Sequence, residues 1–311
     1  MKSTDHRKIA IISGGTGLIG SKLTKRLVDN DYQVYVLTRS PGSTAKNGIQ
    51  QVYWNPVAGE IDDQSLPAAD AVFNLAGAPI VGKKWTKSYQ NLIIQSRVQS
   101  ARMLGQLFEK KNVYPGFYLG ASAIGIYGNS GSIPVDETHV GQSSRFIVKS
   151  VLEWEKAHRQ IAKPGMRSVI LRIGLVLSKQ GGMIEKMLLP ARLGVYGYFG
   201  NGTQMQSWIH IDDLVSCMME GMHNQLFEGT INAVAPAPVS AKALSTAMRK
   251  SRGLGILPGI PKFLLKLGMG DMHRILLDSC HAKADKLLKT GFHFKYPEID
   301  SAMKAMFDST S

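Results

Sequence analysis

Short apolar runs of strand length, at residues 8–13, 33–38, 50–54, 71–75, 116–121 and 168–173, recur through the first part of the chain. Between several of them lie longer stretches in which apolar residues return every three or four positions, and these predict helices over residues 18–30, about 86–110 and 144–162. A strand-helix alternation of this kind implies an α/β fold, a doubly wound parallel sheet with helices on both faces. After residue 175 the rhythm breaks into glycine-rich segments, Gly181-Gly182 and Gly194 to Gly202, which read as loops of a smaller C-terminal substrate lobe. The expected division is therefore a dinucleotide-binding domain over residues 1–175, to which 203–235 return, and a substrate lobe made of 176–202 and 236–311. Within that lobe residues 255–303 form a distinct last segment, helical in pattern around Pro261 to Leu277.

The first apolar run ends in Gly14-Gly15-Thr16-Gly17-Leu18-Ile19-Gly20, three glycines spaced by three, and a helix pattern follows at once. Gly14 suits a sharp turn out of the strand, Gly17 has no Cβ to block a pyrophosphate, and Gly20 is expected to let the helix pack closely on the sheet. The unpaired N–H groups of the helix start, with a partial positive charge of about +0.5 e, attract phosphate. A tight turn without a ligand is the plainer alternative, but the strand before and the helix after are the context that Rossmann-type dinucleotide binding requires. The second strand ends in Thr38-Arg39-Ser40, with no carboxylate to accept from a ribose 2′-hydroxyl. Arg39 can instead pair with a 2′-phosphate, so NADP(H) is the expected cofactor unless Arg39 is merely a solvated loop cation. Leu75, Ala76 and Gly77, at the exit of the fourth strand, are small enough for the backbone to approach the nicotinamide-side ribose.

The formal charge of +14 raises the question of nucleic acid, but the excess is spread along the chain. Lysine and arginine outnumber aspartate and glutamate by 12 to 7 in residues 1–100, 13 to 6 in 101–200 and 12 to 10 in 201–311, with no basic block. A basic surface around an anionic cofactor explains that better than a nucleic-acid partner. The apolar run at Ile9 to Ile12 reaches the glycine loop directly, so neither a signal peptide nor a membrane partner is expected. Two cysteines, Cys217 and Cys280, cannot build a disulfide framework or a four-ligand metal site, and fit a reducing cytoplasm.

Several motifs together sharpen the picture: Trp54-Asn-Pro56, Asn74-Leu-Ala-Gly77, Lys84-Trp85-Thr86, Ser96-Arg97-Val98, Ser122-Ala-Ile-Gly-Ile-Tyr127-Gly128, Trp154-Glu155, Ser207-Trp-Ile-His210-Ile-Asp212-Asp213 and Gly291-Phe-His-Phe-Lys-Tyr-Pro297. With them nearly the whole chain resembles an extended, atypical short-chain dehydrogenase/reductase of the NAD(P)-dependent epimerase/dehydratase superfamily. The closest resemblance is to the epimerase-like subgroup with a C-terminal domain of unknown function, whose members are sometimes mislabelled cell-division inhibitors. That resemblance implies Thr38, Arg39, Leu75, Ala76 and Arg97 at cofactor-contacting positions, and no known substrate.

Chemistry in the superfamily uses a tyrosine, a lysine four positions later on the same helix face, and a hydroxyl that orients the substrate oxygen. Here the corresponding register holds Arg145 and Lys149, and Ala123 stands at the hydroxyl position. Arginine cannot shuttle a proton at neutral pH. Ser122, one step earlier, and Tyr127, expected near the active-site mouth, are the remaining catalytic candidates. His210 reads as a structural hydrogen-bonding residue and Asp136-Glu137 as loop and capping chemistry. Arg172, expected to be exposed, is open to two readings: an anchor for a carboxylate or phosphate, or a structural salt bridge. Two functions follow: an NADP(H)-dependent epimerase-like oxidoreductase of a small polar metabolite, or a catalytically silent NADP(H)-binding protein with a partner-binding role.

Overall fold

The computed structural model describes residues 7–42 and 48–308. The chain begins with β1 (Ile9–Ser13), α1 (Leu18–Val28), β2 (Gln33–Thr38), β3 (Ile49–Asn55) and the short β4 (Glu60–Ile61). It continues through β5 (Ala71–Asn74), α2 (Lys87–Lys111), β6 (Phe117–Ala123), β7 (Pro134–Val135), α3 (Phe146–Arg159) and β8 (Arg167–Ile173). The eight-stranded main sheet has the order β13, β8, β6, β5, β1, β2, β3, β4, where β13 spans Gly229–Ala233. Every pair in it is parallel except β3 with β4, so the expected doubly wound Rossmann-type sheet is present.

Burial on both faces explains why these strands read as unbroken apolar runs rather than alternating ones. Along β1, Ala10 and Ile12 join the core under α1, with Leu23, Leu27, Val34 and Leu214. Ile11 points the other way, into the core under α2 and α3 with Leu37, Val72, Leu104 and Ala157. α2 starts where the Thr86 hydroxyl accepts from the Tyr89 N–H (3.2 Å) and stops at Asn112, whose φ of 48° is left-handed.

β9 (Leu175–Leu177), α4 (Gly182–Ala191), β10 (Tyr198–Phe199), β11 (Met205–Gln206), β12 (Trp208–His210) and α5 (Ile211–His223) follow β8, and the chain then enters β13. That strand closes the far edge of the main sheet beside β8. Its sequence, Gly-Thr-Ile-Asn-Ala, holds one large apolar residue, Ile231, which is why no apolar run announces it. The remainder comprises β14 (Val239–Ser240), α6 (Ala241–Arg252), β15 (Gly259–Ile260), α7 (Lys262–Met269), α8 (His273–Leu277), β16 (His281–Ala282), α9 (Asp285–Lys289) and α10 (Ile299–Asp308). Leu177, Ile184, Trp208, Leu244, Met248 and Met303 form a separate core there, and α10 packs on α6. Asp213 ties the last segment to α5, its carboxylate accepting from the Lys295 and Tyr296 N–H groups at 2.8 and 3.0 Å.

Candidate functional site

Strand order reverses at β1, whose neighbours β5 and β2 are reached by connections running in opposite directions, and this opens a crevice beyond its C-terminal end. The glycine loop lines that crevice. Gly14 has φ +71°, and a Cβ there would lie 2.8 Å from the Leu75 carbonyl oxygen, so the turn and the close approach of the β5 exit both demand glycine. Gly17 is the residue before α1, and a Cβ on it would meet only the Gly14 carbonyl oxygen, at 3.3 Å; the rest of its surroundings is open. Gly20 does a different job from the one expected. A Cβ there would overlap the Gly14 carbonyl and approach the Gly15 Cα to 2.8 Å, so the residue accommodates the folded-back loop itself rather than the sheet. Thr16 is exposed, while Leu18 and Ile19 are half-buried, Leu18 beneath Gly181 of the loop that leads into α4.

At the end of β2, Thr38 accepts from the Ser40 N–H (3.3 Å), and Arg39 and Ser40 are exposed. Leu75, Ala76 and Gly77 run along the other side of the crevice, over Arg97. A Cβ on Gly77 would lie 2.8 Å from the Arg97 guanidinium carbon. Arg97 is buried against the Trp154 ring, 4.9 Å from its centre, and donates to the Ala78 and Ile93 carbonyls, each at 3.0 Å. Burial pulls its pKa down to about 10, which leaves it charged at neutral pH. Thus Arg97 braces the Leu75–Ala78 turn from underneath, with Ser96 accepting from the Ala78 N–H (2.9 Å).

Ser122 and Tyr127 do not stand at the mouth of this crevice. Both are buried: the Ser122 hydroxyl donates to Glu155 Oε1 (2.7 Å), and the Tyr127 hydroxyl to Asn232 Oδ1 (2.6 Å). Burial pushes the Tyr127 phenol up to about 12. Arg172, expected to be an exposed cation, is buried instead and closes the network, its Nε on Glu155 Oε1 (2.7 Å) and its Nη2 on Oε2 (3.0 Å). Its Nη1 donates to the Tyr127 oxygen (3.0 Å) and the Glu137 carbonyl (2.8 Å). Of its two readings the structural salt bridge is the one present. Burial works against the Glu155 charge, but Arg172 and Ser122 outweigh it and hold the carboxyl below its usual range.

At the tyrosine–lysine register, Arg145 places one guanidinium nitrogen on both oxygens of Asp278 (2.9 and 2.6 Å), and Lys149 is exposed. His210 caps α5, its Nδ1 accepting from the Asp212 N–H (3.2 Å), while Asp212 pairs with Lys22 of α1. Asp136 accepts from Thr138 (3.0 Å from its N–H), and Glu137 from the Asn232 N–H (2.8 Å), which makes both part of the loop before α3.

Sequence reading missed a second buried network. Ser13 donates to Asn74 Oδ1 (2.6 Å), Asn74 to the Tyr118 oxygen (3.4 Å), Tyr118 to His158 Nδ1 (2.7 Å), and His158 Nε2 to the Ala121 carbonyl (3.1 Å). Gly120 is glycine because a Cβ would lie 2.5 Å from that imidazole. The available signal was periodicity: Val148, Val151, Glu155 and His158 share one face of α3, and its apolar members place the polar two inside. Burial lowers the His158 pKa to about 4. The unfolded chain, with an ordinary histidine near 6.5, therefore binds a proton that the folded one refuses. Stability from this group is complete above about pH 6.5 and lost progressively down to about pH 4. The melting temperature is expected to fall over that window, and to fall less in His158→Gln; parallel profiles for the two proteins would refute it.

The sequence pattern of the NAD dependent epimerase/dehydratase family matches residues 10–232, and that of a domain of unknown function, DUF1731, residues 260–306. An epimerase family protein of Staphylococcus saprophyticus is 33% identical over 294 residues, 94% of this chain and 97% of its own length. Human epimerase family protein SDR39U1, solved with NADPH, is similar at a TM-score of 0.88 and 28% identity, with 97% of this chain and 99% of that one covered. A nucleoside-diphosphate sugar epimerase from Corynebacterium glutamicum reaches a TM-score of 0.74 at 26% identity, over 97% of this chain and 59% of its own. Among the described residues, no helix is long and apolar enough to cross a membrane, and no cluster of ligating side chains fits a metal ion.

Proposed function

The chain belongs to the NAD dependent epimerase/dehydratase family, and on that premise we propose that it is an NADP(H)-binding, epimerase-like oxidoreductase of a small polar metabolite, working without the usual tyrosine–lysine pair. The observation that carries the reading is the crevice at β1. Gly14 makes the turn that lets the β5 exit approach, Gly17 leaves space for a pyrophosphate where a side chain would fill it, and Arg39, an exposed cation at the end of β2, is available to a 2′-phosphate. The human relative solved with NADPH supports the same choice. The bound cofactor would supply hydride transfer. The chain would supply orientation: Leu75, Ala76 and Gly77 along the nicotinamide half, and Ser122, Glu155, Arg172 and Tyr127 fixing the ends of β6 and β8 as positioning residues. A cytoplasmic setting fits its two unbridged, buried cysteines.

NADPH is expected to bind at least about tenfold more tightly than NADH, the roughly 1.4 kcal/mol that one charge-assisted contact supplies. Calorimetry on both cofactors tests it, and Arg39→Ala should erase the difference. Equal affinities in the parent protein would remove NADP(H) as the cofactor.

The silent NADP(H)-binding reading draws on Arg145, which is tied to Asp278 where the superfamily places its tyrosine. NADPH oxidation against a panel of carbonyl and sugar-nucleotide substrates separates the two. If turnover occurs, Lys149→Ala should change the rate by less than about tenfold, because no tyrosine depends on that lysine. Loss of all activity in that variant would reveal an unrecognised donor beside Lys149.

A further inference from the structure

Helix α7 is turned the wrong way round for a soluble protein. Of its residues Leu265 is buried, whereas Phe263, Leu264 and Leu267 are 68%, 47% and 84% exposed. Those three stand at i, i+1 and i+4, on the side of the helix opposite Leu265, so an apolar stripe faces solvent. Lys262 and Lys266, one turn apart, flank it. More exposed apolar residues stand in the segment between α6 and β15. Leu254 and Ile256 are exposed, and Ile256 is bonded across to the Gly194 carbonyl (2.9 Å), beside exposed Leu193.

Charge decides what covers this face. Residues 186–211 and 229–270 hold no aspartate or glutamate and carry Lys186, Arg192, Lys242, Arg249, Lys250, Arg252, Lys262 and Lys266; the acids that border them are Glu185, Asp271, 3.9 Å from Arg274, and Asp300, which pairs with Lys250 at 3.3 Å. A second copy is a poor occupant. A two-fold interface sets the same patch against itself and would bring together more cations than the bordering carboxylates can answer. Exposed phenylalanine and leucine rimmed by an excess of cations match a surface that is apolar below and negative above.

We propose that α7 and the adjoining Leu254–Ile256 segment dock this protein on an anionic lipid bilayer, Phe263, Leu264 and Leu267 entering the boundary between headgroups and acyl chains and Lys262 and Lys266 meeting the phosphates. This attachment lies in the plane of the surface and needs no spanning helix, so the lack of an apolar span among the described residues does not bear on it. It stands independently of the cofactor.

Sedimentation of the full chain with vesicles tests it. The protein should bind phosphatidylcholine–phosphatidylglycerol vesicles, not pure phosphatidylcholine, and salt should weaken the binding. Lys262→Gln with Lys266→Gln should reduce partitioning by about tenfold or more. Phe263→Ser with Leu267→Ser should abolish it at an unchanged melting temperature, whereas Ile133→Ser, at an equally exposed apolar residue elsewhere, should leave it intact. The proposal is overturned by failure to bind anionic vesicles, by equal binding to both compositions, or by full binding of the Phe263/Leu267 variant. A concentration-dependent dimer that Leu267→Ser dissolves would likewise overturn it and assign the face to a second copy.

Discussion

Replacing Glu155 by alanine is expected to destabilise the protein by about 3–5 kcal/mol, the range for removing one partner of a buried ion pair. The Glu155 side chain is fully buried and that of Arg172 3% exposed, so Arg172 cannot recover its lost partner from water. Its contacts with the Tyr127 hydroxyl and the Glu137 carbonyl remain, and they hold the loss within that range. Ser122 loses its acceptor at the same time. At about 2.1 cal/mol/K of unfolding entropy per residue, a chain of 311 residues should melt about 5–8 °C lower. Glu155→Leu combined with Arg172→Met should cost less than the two single changes added, because the pair's main expense is charge left without a partner. Thermal unfolding of Glu155→Ala, of the two single changes and of their combination reads this directly; a Glu155→Ala protein that melts with the parent would show that water reaches the site.

The parts of the fold that were legible in sequence are those where burial on two faces forces an unbroken apolar run. Ile9 to Ile12 and Val34 to Leu37 are such runs, and the observed β1 and β2 coincide with them to within a residue. β13 escaped because Ile231 alone of its residues is a large apolar one, and its register is set by pairing with β8 rather than by its own composition. The glycine loop was legible because backbone geometry admits few residues there, although the reason for Gly20 emerged only when the loop was seen lying on it. The polar residues were hardest. Ser122, Tyr127 and Arg172 are residue types that do chemistry in an open site, and nothing in their spacing says that Glu155, on a different element, absorbs all three into one buried network. His158 was hidden for the same reason: its partners Tyr118 and Ala121 are 40 and 37 residues away in sequence.

Gly17→Val is expected to lower NADPH affinity at least about a hundredfold, some 2.7 kcal/mol, while leaving the fold intact. Gly17 has φ −78° and ψ 175°, an extended conformation in which valine is comfortable, so the backbone itself gives no reason for glycine. The nearest atom to an added Cβ is the Gly14 carbonyl oxygen at 3.3 Å, a tight contact that a small shift relieves. The branched methyls would then occupy the open side of the loop, where a pyrophosphate must approach the first N–H groups of α1. A substitution of this kind at an exposed position ordinarily changes stability by about 0.5 kcal/mol or less. Calorimetric titration of NADPH into the parent and into Gly17→Val, with the melting temperature of each measured alongside, is the most direct measurement. Tight binding by the parent, none by the variant and closely matching melting temperatures are the expected result; equal NADPH affinity in two folded proteins would mean that the glycine loop is only a turn and that the dinucleotide site lies elsewhere.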